Sequence, residues 1–151
     1  MKGERILFGV SVFVLAVIAA FIIFGSVQSA AVAFTNQGDH VGNINFDQLR
    51  GMGADEAVKA IRGRRLTAAT WALAYAVLFA WVVLGPYRRT EKWAWWILMA
   101  SLIIPQVISI ARLLFIGTTA GTLPSALLLG FGLLGLMAGV PRFFLRKTDL
   151  V

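Results

Sequence analysis

The sequence predicts an all-α protein, a four-helix transmembrane bundle with a short amphipathic interfacial helix in its first outer loop. Hydrophobic residues make up 59% of the 151 and charged ones only 14%, against roughly 45–50% and 25% in a soluble domain. Mean hydropathy is +0.81. Four runs reach the length of about 20 mainly apolar residues that a helix needs to cross a hydrocarbon core of roughly 30 Å. None of them alternates in the manner of a barrel strand, and a lipid-facing backbone must satisfy its own hydrogen bonds. The length suits one membrane-embedded unit, residues 1–151. With no cysteine in the chain, disulfides, thiolate metal sites, iron–sulfur clusters and cysteine nucleophiles are excluded.

The first span covers residues 6–27 and follows Lys2 and Arg5. Ala31-Val32-Ala33 has the small-x-small pattern of a signal-peptide cleavage site. The apolar run from Ile6 to Phe24 nevertheless exceeds the roughly 7–15 residues of a signal peptide, so a retained anchor is expected. The second span, 66–86, closes on Pro86, which cannot continue the backbone ladder. The third, 93–116, carries Arg112. The fourth, 123–140, tolerates Pro124 in its first turn and stops before Pro141.

Basic residues in short loops stay on the cytoplasmic side and so report orientation. With four spans, the amino terminus, the loop after the second span and the carboxyl tail share one side. They hold eight basic residues: Lys2, Arg5, Arg88, Arg89, Lys92, Arg142, Arg146 and Lys147. The other side holds five, namely Arg50, Lys59, Arg62, Arg64 and Arg65. Both termini are therefore expected in the cytoplasm, and the chain in a bacterial inner membrane. Trp93, Trp95, Trp96 and Tyr87 beside Arg88, Arg89 and Lys92 read as an aromatic belt at the headgroup level. A pI near 10.9 does not imply nucleic acid, because the charges sit at span ends and not on one soluble face. Membrane lipids are the expected partners of these clusters.

The first outer loop, 34–65, opens with a Gly- and Asn-rich stretch that reads as irregular turns. From Ala54 a helix is expected: Ala54, Ala57, Val58 and Ile61 form one apolar stripe. Asp55 and Glu56 fall in its first turn and Lys59 and Arg62 in its last, as the helix dipole favours, and Gly63 is placed to end it. Such a helix lies on the bilayer or covers the outer mouth of the bundle. Asp39 and His40, with Asp47 or Glu56, have the residue types of a metal or acid–base site. His40 is the chain's one histidine, and no His-x₃-His or paired-carboxylate spacing accompanies it, so a solvated loop is the expectation and no metal is assigned.

The third span holds the unusual residues. Ser101, Pro105, Gln106, Ser109 and Arg112 share an arc of about 140° at 100° per residue, a polar face expected to point into the bundle. Pro105 frees the carbonyl of Ser101 and permits a kink. Gln106 is about 15 Å from the outer end, near the bilayer centre, and Tyr75 on the second span has a similar depth. Two roles are open to Arg112, about 6 Å deep: snorkelling to headgroups, or acting as a buried cation facing Gln106, Tyr75 or an outer-loop acid. Gln106 and Ser109 are suited equally to interhelical hydrogen bonds.

In the fourth span, Gly130-Phe131-Gly132-Leu133-Leu134-Gly135 matches G-x-G-x-x-G formally. A dinucleotide site needs a strand-to-helix turn at an aqueous phosphate, which an apolar helix does not offer. Gly135-x-x-x-Gly139 reads better as a helix-packing face, its partner being another span or another subunit.

This layout, with Leu49-Arg50-Gly51 in a long first outer loop and Ala111-Arg112-Leu113-Leu114 shortly before Pro124, resembles small bacterial DoxX-like membrane proteins. In those relatives glycine often precedes the arginine, where this chain has Ala111. The resemblance implies a four-span protein, in some cases a membrane partner of an oxidoreductase that passes electrons to quinone. Three readings of function follow. The first is a non-enzymatic accessory or interaction subunit, with a membrane-protein partner or as a homo-oligomer and with no cofactor of its own. The second is an intramembrane binding module for a quinone or lipid, held by Arg112, Gln106, Ser109 and Tyr75. The third is a lipid-modifying enzyme using Asp39, His40 and Arg112.

Overall fold

Among the described residues, four helices are long and apolar enough to cross a membrane. A computed structural model describes residues 2–35, 40–41, 44–117 and 122–145. The helices are α1 (Lys2–Thr35), α2 (Phe46–Gly51), α3 (Asp55–Val82), α4 (Lys92–Ile116) and α5 (Thr122–Val140). Five-residue π-helical turns extend α3 over Val83–Tyr87 and α5 over Pro141–Leu145. Both turns carry a proline, whose missing N–H and bulky ring do not fit a regular α-turn. The first is closed by Glu91 N donating to the Pro86 carbonyl, 3.1 Å. Thr90 follows with φ 62°, a left-handed conformation that costs a β-branched residue of the order of 1–3 kcal/mol.

The all-α bundle is thus the observed fold, and the boundaries carry the differences. A short helix stands in the first loop at Phe46–Gly51, before the position the apolar stripe indicates. It starts with a capping box: Gln48 N donates to Asn45 Oδ1 at 2.7 Å and Asn45 N to Gln48 Oε1 at 3.1 Å. Residues 54–63 do not end at Gly63. Residues 55–63 form the first turns of α3, which continues directly into the second span. An interior glycine costs a helix only about 1 kcal/mol, and the apolar run beyond it is long enough to carry the helix through. Ahead of α2, β1 (His40–Val41) and β2 (Ile44–Asn45) pair antiparallel, His40 opposite Asn45.

The helices divide into two compact units. The first comprises residues 1–19 and 78–151. Here α4 and α5 pack antiparallel, with Trp95 against Leu136, Leu102 against Gly132 and Ser109 against Ser125 marking the register. Ala94, Leu98, Leu102 and Gln106, one turn apart, are the buried stripe of α4. Pro105 lies inside α4, which is helical on both sides of it. Gly117, φ 73°, caps α4 with its N–H on the Leu113 carbonyl, 3.2 Å.

The second unit, residues 20–77, holds the carboxyl half of α1, the small hairpin, α2 and most of α3. At about 1.5 Å per residue, α1 is roughly 50 Å long, well beyond a hydrocarbon core. Its last turn contains no basic residue, so its carbonyl end needs partners from elsewhere.

Candidate functional site

Those partners come from α3. Arg62 Nε donates to the Ala33 carbonyl at 2.8 Å and Nη2 to the Phe34 carbonyl at 3.0 Å, while Arg65 Nε donates to Ser29 Oγ at 3.3 Å. A guanidinium fork on the negative end of α1 satisfies orphan carbonyls and the helix dipole together. Of the three arginines at positions 62, 64 and 65, two therefore have a structural use. Beside the fork, Ala33, Phe34, Lys59, Arg62, Gly63 and Leu66 line a hollow of about 220 Å³. Arg62→Ala is expected to lower stability by roughly 1.5–3 kcal/mol, the usual value of hydrogen bonds from a charged donor. Arg64→Ala, at an exposed position, is the comparison, and equal unfolding midpoints for the two variants would rule the clasp out.

In the first unit the polar side chains meet one another. Ser11 Oγ and Tyr87 Oη share a hydrogen bond of 2.6 Å, and both residues are fully buried at 0% exposure. Tyr87 stacks on Phe8 at 5.6 Å and leans on Phe143 at 4.8 Å. Opposite them is Gly139 of α5, where a side-chain carbon would run into the Tyr87 hydroxyl and approach Ser11 Oγ to 3.0 Å. Gly135 faces Val14 of α1 in the same way, at 3.1 Å, and Gly132 faces Leu102, at 2.8 Å. The neighbours of this glycine face are thus helices of the same chain.

On α4, Ser109 accepts from Ser125 Oγ of α5 at 2.8 Å, a bond that ties two spans together. Gln106 is buried, 8% exposed, in the stretch between the Leu102–Gly132 and Ser109–Ser125 contacts. Ser101 Oγ donates to the Leu98 carbonyl of its own helix, 2.9 Å. Arg112 sits in the last turns of α4, its side chain outside the described residues. Tyr75 lies on α3 in the second unit and is partly exposed.

The outer-loop candidates divide similarly. Asp39 falls outside the described residues, and His40 is described by its backbone alone, in β1. Asp47 pairs with Arg50 at 3.6 Å and Glu56 with Lys59 at 2.7 Å, each within its own helix. No cluster of three metal-ligating side chains occurs among the described residues.

Two members of the expected aromatic belt turn inward. Tyr87 is buried as above, and Trp95, 6% exposed, donates its indole N–H to the Leu136 carbonyl at 3.1 Å. Trp93 and Trp96 remain outward, 45% and 59% exposed. Helical phase is the reason: Trp95 lies beside the buried stripe of Ala94 and Leu98, and Trp93 and Trp96 lie off it. Sequence reasoning missed Ser11, Ser125 and the inward Tyr87. The available signal was a lone hydroxyl in an apolar helix, which in lipid needs a partner.

These features define an integral membrane protein of the helical, four-span class, in which the buried Ser11, Ser125 and Trp95 link helices. Beyond that class, no family model, curated protein or solved structure matches the chain.

Proposed function

We propose that the chain is a non-enzymatic integral membrane component, an accessory or interaction subunit of a larger membrane assembly, seated in a bacterial cytoplasmic membrane with both termini inside. The observation that supports this best is how the chain uses its intramembrane polar groups. Ser11 closes on Tyr87, Ser109 on Ser125 and Trp95 on the Leu136 carbonyl, so these groups hold helices together. Along α5 the opposite face is an apolar ridge of Leu123, Leu127, Phe131 and Leu134, each more than half exposed. That ridge is the surface offered to lipid tails or to a neighbouring subunit. The DoxX-like layout agrees with such a role.

A second reading, a binding module for a quinone or lipid on α4, is favoured by the burial of Gln106. It would use Gln106, Ser109 and Arg112. Native mass spectrometry after gentle extraction separates the two. A fixed polypeptide partner supports the accessory role. A stoichiometric lipophile that is lost in Arg112→Leu or Gln106→Leu supports the binding module. A bare, ligand-free chain would remove both.

The cysteine-free sequence also makes orientation directly measurable. A membrane-impermeant maleimide on intact cells is expected to label Met52→Cys and to leave Lys92→Cys untouched. The reverse pattern would place the termini outside.

A further inference from the structure

We infer that the end of the first unit where α1 begins holds the phosphate of one anionic phospholipid, with the Arg142 guanidinium as its principal contact. This goes beyond the accessory role and does not depend on it. Arg142 follows Pro141 in the π-helical turn after α5. Its Nε is buried and has no hydrogen-bond partner among the described residues. Its guanidinium carbon lies 5.8 Å from the centre of the Phe8 ring, within the range of a cation–π contact. A ring face offers no hydrogen-bond acceptor in the guanidinium plane, so the Nε–H stays unmet. A buried charged donor without an acceptor is unfavourable, and native proteins rarely leave one unmet.

The surroundings favour an anion. Phe8, Tyr87 and Phe143 form one aromatic cluster, with ring separations of 5.6, 6.0 and 4.8 Å. Around this apolar floor, Arg5 stands one turn before Phe8 on α1, and Arg88 and Arg89 directly follow Tyr87. All three are exposed. Among the described residues, the acids at this end are Glu4, exposed in the first turn of α1, and Glu91, which accepts the Trp93 indole N–H at 2.6 Å. Positive charge therefore predominates. The ligand that fits is a phosphodiester with two free oxygens, which an arginine fork binds in plane. A headgroup is the right source of it, because the cluster lies where spans end, close to the outward Trp93 and Trp96.

The test uses the full-length protein in nanodiscs of phosphatidylcholine with or without one-fifth phosphatidylglycerol, read by native mass spectrometry and by thermal unfolding. The wild type is expected to retain one phosphatidylglycerol and to unfold at a higher temperature when that lipid is present. Arg142→Gln is expected to lose about tenfold or more in retention, while Arg142→Lys keeps the charge, loses the fork and falls between. Arg64→Gln removes an exposed arginine of the second unit and should leave retention unchanged. Should Arg142→Gln prove unstable, Arg88→Gln with Arg89→Gln serves instead, with reduced retention expected and unchanged stability in phosphatidylcholine alone. Wild-type retention in Arg142→Gln, or equal loss in Arg64→Gln, overturns the site. Inorganic phosphate stabilising the protein as well as the lipid does would assign it to a free anion and overturn the lipid.

Discussion

Gly139→Ala is expected to destabilise the protein by about 1–3 kcal/mol, the usual cost of overpacking a filled interior. The new methyl would fall on the Tyr87 hydroxyl, 3.0 Å from Ser11 Oγ and 3.3 Å from Tyr87 Cζ. Phe8 and Phe143 pack against the Tyr87 ring, at 5.6 and 4.8 Å between centroids, and limit how far it can give way. Relief requires the Tyr87 ring or the α5 backbone to shift. Tyr87→Phe alone removes one hydrogen bond and should cost only about 0.6 kcal/mol, the average for such bonds within membranes. Combined with Gly139→Ala it should recover part of the loss, since the two positions share one space and their effects do not add. Gly130→Ala is the control in the same helix: nothing lies within 4 Å of its Cβ position. Unfolding midpoints in one detergent would decide the matter. If Gly139→Ala and Gly130→Ala unfold together, the packing of α5 on α1 has been misread.

Trp95→Ala should have the largest effect, roughly 3–5 kcal/mol, as for other buried aromatic truncations. The ring is packed edge-on against Trp96 at 4.8 Å and Phe144 at 5.4 Å, and its N–H holds the Leu136 carbonyl. Its loss opens a cavity between α4 and α5. Lipid tails are too constrained to fill such a void well, and van der Waals contact is the main force between spans. Trp93→Ala removes an indole that is 45% exposed, and should change membrane anchoring more than stability. A Trp95 variant as stable as the Trp93 variant would sink the assignment of inward and outward faces.

The spans were legible because run length is a strong signal: a charge in hydrocarbon is costly, so span ends are written in Lys, Arg and Pro. Which side of each span faces the others was not. In lipid a helix is apolar all round, so hydrophobic periodicity no longer marks the buried face. The buried stripe of α4 is Ala94, Leu98, Leu102 and Gln106, and its exposed side includes Ile97, Ile104 and Ile108. Only Gln106 distinguishes the two: of the described members of the expected polar face, Gln106 is buried, Ser101 and Ser109 are partly exposed and Pro105 is exposed. Tyr87 and Trp95 beside basic residues have the composition of an interfacial belt, and their inward turn depends on helical phase and on the π-helical turn after α3. The helix in residues 54–63 was readable, but its end was not. Gly63 carries a stop signal locally, and the longer apolar run and the fork at Arg62 outweigh it.

The Ser11–Tyr87 bond joins residues 76 positions apart, whereas Ser109–Ser125 joins residues only 16 apart. Local pairings close quickly and distant ones wait for the intervening chain. The hairpin of α4 and α5 is therefore expected to form first, and α1, which lies far before it in the chain, to dock on it last. Until then the Ser11 hydroxyl is left to bond back to its own helix, as serines in apolar helices do. The amino-terminal half of α1 would thus enter the membrane early, drift without a fixed neighbour, and find its seat only when Gly135 and Gly139 arrive.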